Sequence, residues 1–139
     1  MALSQSISVM SRRLPAVIAG GRVVLGAGLM VVPGVAGRTY LGRAAHRSDL
    51  RFMNRIFGGR DVALGIALAM AGRADPKLER RILLLGVACD GWDAVSALTA
   101  GADMPRWGRA LVALTGTTWA ALGIVAAGAA PRTGVSASS

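Results

Sequence analysis

The sequence predicts an all-α fold, a bundle of four transmembrane helices with both termini on the same side of a bilayer, and three observations predict it. Apolar residues make up 53% of the 139-residue chain and charged residues only 17%. The apolar residues gather in four stretches of 19 to 21 residues, 14–32, 52–71, 82–102 and 110–130. As helices each spans about 30 Å, the thickness of a bilayer hydrocarbon core. Helix-punctuating residues sit at or just beyond their ends: Pro33-Gly34, Asp75-Pro76, Met104-Pro105 and Pro131.

The first stretch follows Arg12 and Arg13, as the apolar region of a secretory signal would, but Arg22 near its middle is at odds with a cleavable segment and favours a span. The second carries Arg60 and Asp61 and the third Asp90 and Asp93, while the fourth carries no charge. That fourth stretch is apolar around its whole circumference, as a lipid-facing helix is and an amphipathic helix of a soluble bundle is not. Residues 1–13 are expected to form an N-terminal tail, 14–130 one integral membrane domain and the Ser-rich 131–139 a disordered C-terminal tail. Small residues four apart (Ala16 and Gly20, Gly65 and Ala69, Ala97 and Gly101, Gly116 and Ala120, Gly123 and Ala127) predict close helix approach.

The net charge is +9, from 16 basic residues of which Lys77 is the only lysine. An Arg, Ala and Gly bias of this kind suggests a GC-rich bacterial genome, and with it a bacterial plasma membrane. Basic chains bind nucleic acid or anionic membranes. No zinc-finger, RNP or helix-turn-helix pattern is present, so nucleic acid is not an expected partner. The expected partners are the lipid bilayer and a membrane protein or a second copy of the chain. A single cysteine, Cys89, excludes an intrachain disulfide, and a single histidine, His46, excludes a multi-histidine metal site. No metal and no cofactor is expected. Seven basic residues flank the predicted spans on each side, so charge asymmetry assigns no orientation.

The charges inside the apolar stretches are the candidate site. Counting at about 1.5 Å per residue along alternating helices places Arg22, Arg60, Asp61, Asp90 and Asp93 within roughly 5 Å of one another in depth, near the midplane. An ionised side chain at helix centre costs about 2.5–3.5 kcal/mol on insertion scales, so the five should meet inside the bundle. The simplest arrangement pairs Arg22 and Arg60 with the third-helix carboxylates and with Asp61, through forked guanidinium hydrogen bonds. Three acids against two bases leave one carboxylate to be protonated, to pair with Arg55, to bind a cation or to open to water. A structural ion-pair network that sets helix register is the expectation. A proton-linked site titrating at Asp90 or Asp93 is its competitor.

Residues 55–65, with Arg60-Asp61-Val62-Ala63-Leu64-Gly65 at their centre, and the later Asp90-Gly91-Trp92-Asp93 resemble small four-span membrane proteins of actinobacteria, loosely DoxX-like. The resemblance extends over 14–127. It implies a four-helix integral membrane fold and brings no established substrate.

Other chemistry fails on the residues present. The acid pair is similar to part of the metal-binding signature of membrane CDP-alcohol phosphotransferases, but no Arg follows the first Asp-Gly closely and Asp103 is the only later acid. Gly20, Gly21, Gly26 and Gly28 follow no strand and form no nucleotide loop. No Ser/His/Asp or Cys/His set exists, and a membrane enzyme ranks third, behind a non-catalytic subunit and a transporter. Arg43, Arg47, Arg51 and Arg55 recur every four residues, and on a helix would form one stripe suited to anionic lipid or to an acidic partner. The functional expectation is an accessory or scaffold subunit of a membrane assembly. The alternative is a small proton-coupled transporter or conduit acting as an oligomer.

Overall fold

The computed structural model describes residues 2–129, and the side chains of 13–102 and 104–129. The described residues are helical nearly throughout. The helices are α1 (Ala2–Val31), α2 (Pro33–Leu41), α3 (Ser48–Ala74), α4 (Pro76–Thr99) and α5 (Arg106–Ala129), with 3-10 turns at Gly42–His46 and Gly101–Asp103. Among the described residues three segments are long and apolar enough to cross a membrane: Arg13–Val31, Pro76–Thr99 and Arg106–Ala129. The expected tail 131–139 lies outside the described residues, whereas most of 1–13 continues α1 as helix.

Local chemistry sets the boundaries. Pro33 opens α2 in its first turn, where a missing N–H leaves no bond unmade. At Gly42 and Gly101 the backbone takes φ of +58°, a left-handed turn that side chains resist, and α2 and α4 stop there. Asp75 caps α4 by accepting the Lys77 backbone N–H at 2.8 Å, with Pro76 in the first turn. The sequence places no separate helix in the first connection, only the arginines that a helix would align in one stripe. The connection instead holds its own short helix, α2, because Pro33 and Gly42 delimit nine residues that wind one more element.

The four long helices form a ring in which α1 packs closely on α3, α4 packs closely on α5, and α3–α4 and α1–α5 contacts close it. Glycine makes the close pairs. A Cβ on Gly58 would strike the Gly26 carbonyl oxygen across the α1–α3 contact, and one on Gly65 would lie 2.7 Å from the Ala19 carbonyl oxygen. On the α4–α5 side a Cβ on Gly116 would lie 2.6 Å from the Asp90 carbonyl oxygen. Of the small-residue rows read from the sequence, Gly65, Ala97, Gly116, Gly123 and Ala127 are buried, while Ala16, Gly20, Ala69 and Gly101 are exposed.

The section through the bundle inverts that of a water-soluble protein. Ile18, Ala19, Leu68, Leu83, Ala126 and Ala127 form an apolar core toward one end, and the buried positions elsewhere among the described residues are Ala, Gly, Pro33, Arg22, Asn54 and Asp90. Large apolar side chains face outward all around: Val24 is 71% exposed, Val31 77%, Trp92 70% and Leu114 68%. An exterior of this kind is stable only against lipid or another apolar surface.

We predict that Gly58→Ala lowers stability in detergent by about 1–3 kcal/mol through overpacking against α1. Gly20→Ala, where nothing lies within 4 Å of an added Cβ, should leave stability equal or slightly higher. Thermal unfolding followed by circular dichroism checks the contrast, and equal melting of both variants would refute the α1–α3 contact.

Candidate functional site

One heptad-spaced face of α3 carries Asn54, Gly58, Asp61, Gly65 and Leu68, and this face turns into the bundle. On α4 the inward face is Leu83, Gly86, Asp90, Ala94 and Ala97, and α1 contributes Ile18, Ala19, Arg22 and Gly26. All five charged residues singled out from the sequence come together here. Arg22 Nη1 donates to Asp61 Oδ1 at 3.1 Å, and its Nη2 donates to Asp90 Oδ2. Arg60 grips Asp93 with both terminal nitrogens, Nη2 to Oδ2 at 2.6 Å and Nη1 to Oδ1 at 3.1 Å. Its Nη2 also reaches Asp61 Oδ1 at 3.4 Å.

The charges therefore alternate along a single chain, Asp90–Arg22–Asp61–Arg60–Asp93, that ties α1 and α4 to α3. Asp61 is its centre, since one oxygen accepts from both arginines. Burial falls along the chain, from Arg22 and Asp90 with side chains 7% and 8% exposed to Arg60 and Asp93 at 28% and 25%. At the outer end the Arg60 guanidinium lies over the Phe57 ring, 5.4 Å from its centroid. Glycines make the room: a Cβ on Gly86 would lie 2.8 Å from Arg22 Nη2, and one on Gly65 3.2 Å from Arg22 Cβ. Beside Arg22 remains a cavity of about 10 Å³, space for about one water.

A second buried polar group went unnoticed in the sequence. Asn54, 2% exposed, donates from Nδ2 to the Pro33 carbonyl at 2.9 Å and accepts from the Tyr40 hydroxyl. It secures α2 across the end of the bundle, where the Tyr40 carbonyl packs against Gly108 of α5. Its signal was the heptad spacing it shares with Gly58, Asp61 and Gly65, masked because Asn54 lies in a stretch rich in charge.

The four arginines of the first connection do not form one stripe. Arg43 sits on the 3-10 turn, Arg47 is the extended residue before α3, and only Arg51 and Arg55 stand on α3 itself. The left-handed Gly42 and the extended Arg47 break the helix that a stripe requires. All four side chains are exposed. Arg47 forks onto Asp49 and holds that carboxyl below its usual value, and Arg55 Nε donates to the Met30 carbonyl at 3.4 Å.

Removing Arg22 leaves Asp61 and Asp90 without their shared base. Arg22→Met is expected to destabilise the bundle by about 3–5 kcal/mol, and adding Asp90→Leu to recover part of the loss. A double-mutant cycle on melting in detergent measures this, and additive losses would argue against the pairing. Tyr40, the chain's single tyrosine, allows a second test. Burial foremost, and then the negative charge of Asp93, push its hydroxyl from 10.0 up to about 12. A proton held more tightly in the folded state stabilises below the unfolded value, and that contribution fades as pH climbs from about 10 to about 12. Phenolate absorbance of the folded protein should rise near pH 12 and return to about 10 in denaturant; a folded midpoint near 10 contradicts the part-buried Tyr40–Asn54 contact. Compared with known proteins, the chain matches no family model, no curated protein and no solved structure.

Proposed function

We propose that this chain is a four-span integral membrane protein of a bacterial plasma membrane that serves as a non-catalytic accessory or scaffold subunit of a larger membrane assembly. The observation that carries the reading is the charge chain: every carboxylate and guanidinium in it has a partner within the protein, and the cavity beside Arg22 has room for about one water. Such a network sets the register of three helices, which supports a structural role over a solute pathway. The apolar exterior supports burial in lipid.

The fourth span is α3. Residues 56–72 lie between Arg55 and Arg73, extend about 25 Å, and contain no charge except the paired Arg60 and Asp61. The apolar α1 packs closely on it and α4 also contacts it, which supports a crossing by α3 as well. Four crossings put both termini on the same side. The likeness to DoxX-like proteins rests on Arg60, Asp61, Leu64, Gly65, Asp90 and Asp93. The exposed Arg43, Arg47, Arg51 and Arg55 suit contact with anionic headgroups or an acidic partner at the end of the bundle.

The excess of one carboxylate over the two guanidiniums favours a second reading, a proton-coupled conduit formed by an oligomer. The two readings separate on Asp90→Asn and Asp93→Asn. A scaffold loses abundance or its partner; a conduit keeps both and loses transport.

Affinity purification of a tagged chain from its own membranes in mild detergent, with mass spectrometry of near-stoichiometric companions, is expected to yield one abundant membrane partner. Elution with copies of itself alone would overturn the scaffold reading.

A further inference from the structure

The turn between α4 and α5 holds a feature that the charge chain does not use. An open groove of about 300 Å³ is lined by Leu98, Arg106, Arg109 and Ala110. Among the described side chains, two of the four that line it carry guanidinium groups and none carries a carboxylate. Arg109 Nε is buried and has no hydrogen-bond partner among the described residues. Arg47, Arg55 and Arg73, by contrast, are occupied by Asp49, the Met30 carbonyl and the Ala69 carbonyl. Beyond Asp93 the sequence holds one acid, Asp103, against Arg106, Arg109 and Arg132.

The remaining wall of the groove is apolar. Leu98 is 64% exposed on α4, a helix long and apolar enough to cross a membrane, and Arg106 and Arg109 stand in the first turns of α5, which is another. Trp107, between the two arginines, is 51% exposed, and indole rings at the ends of apolar helices collect at the headgroup level of bilayers. The groove thus joins anion-binding groups to a hydrocarbon-facing wall at the end of two such helices. A phosphodiester with an acyl chain attached matches both halves.

We propose that the Arg106–Arg109 groove binds the headgroup phosphate of an anionic phospholipid, with an acyl chain lying along Leu98. The assignment rests on the membrane reading above and goes beyond it by naming a discrete lipid site. The guanidinium groups of Arg106 and Arg109 donate to the non-bridging phosphate oxygens through their terminal nitrogens. Free phosphate shares this chemistry but offers nothing to the apolar wall.

The full chain, inserted in nanodiscs of phosphatidylcholine with phosphatidylglycerol and extracted into mild detergent, is examined by native mass spectrometry for retained phosphatidylglycerol. Wild type should retain it in preference to phosphatidylcholine. Arg106→Gln, at an exposed position, should reduce retention roughly five-fold, and Arg106→Gln with Arg109→Gln further. Arg80→Gln with Arg81→Gln, two exposed bases at the opposite end of the bundle, should leave it unchanged. Equal losses from both pairs would overturn the discrete site in favour of diffuse attraction. Displacement of the lipid by millimolar inorganic phosphate would overturn the lipid assignment in favour of a free-anion site. A chain that enters nanodiscs but retains no phosphatidylglycerol refutes this inference alone, whereas one that fails to enter refutes the membrane reading with it.

Discussion

The bundle depends on the sharing of Asp61 between two arginines. A guanidinium or carboxylate inside an apolar interior is tolerable only when its charge is met at hydrogen-bond distance, and each partner so recruited must itself be met. Asp61 on α3 meets Arg22 of α1, Arg22 meets Asp90 of α4, and Arg60 beside Asp61 meets Asp93 of α4. Three helices are thereby held in one register. A shift of any of them by one turn would separate charges by about 5.4 Å along the axis and strand them.

Close approach is the condition for this network. Arginine side chains are long, but the chain of charges needs both ends of each guanidinium seated at once, which restricts how far apart the helices stand. Gly65 and Gly86 leave the space that Arg22 occupies, and Gly58 against Gly26 brings α1 onto α3 one turn away. Packing and electrostatics are therefore one device. Toward one end the apolar cluster around Ile18, Leu68 and Leu83 continues the contact, and toward the other Asn54 and Tyr40 fasten α2 over it.

The placement of small and charged residues inside and large apolar residues outside follows from the same condition. Hydrophobic burial cannot drive helices together where the surroundings are as apolar as leucine, so van der Waals contact between backbones and internal hydrogen bonds take over. Leu114, Val24 and Trp92 are then free to face outward.

Much of this was legible in the sequence, for a definite reason. Arg22, Arg60, Asp61, Asp90 and Asp93 each interrupt an apolar run, and the period of the helix sets their depth and face. Helicity and the length of the apolar helices follow equally from composition, proline and glycine. What the tertiary structure decided is which oxygen meets which nitrogen: that Asp61 is shared, that Arg60 forks onto Asp93, and that the arginines from Arg43 to Arg55 are divided among three backbone conformations. Those outcomes turn on interhelical distances of a few ångströms, set by Gly26, Gly58, Gly65 and Gly86 on different helices. The buried role of Asn54 was hidden for the same reason, because its partners are the Pro33 carbonyl and the Tyr40 hydroxyl of a helix that packs on it only after the chain has folded back. Periodicity within one helix determines which residues face inward; only the packing of several helices determines what they meet there.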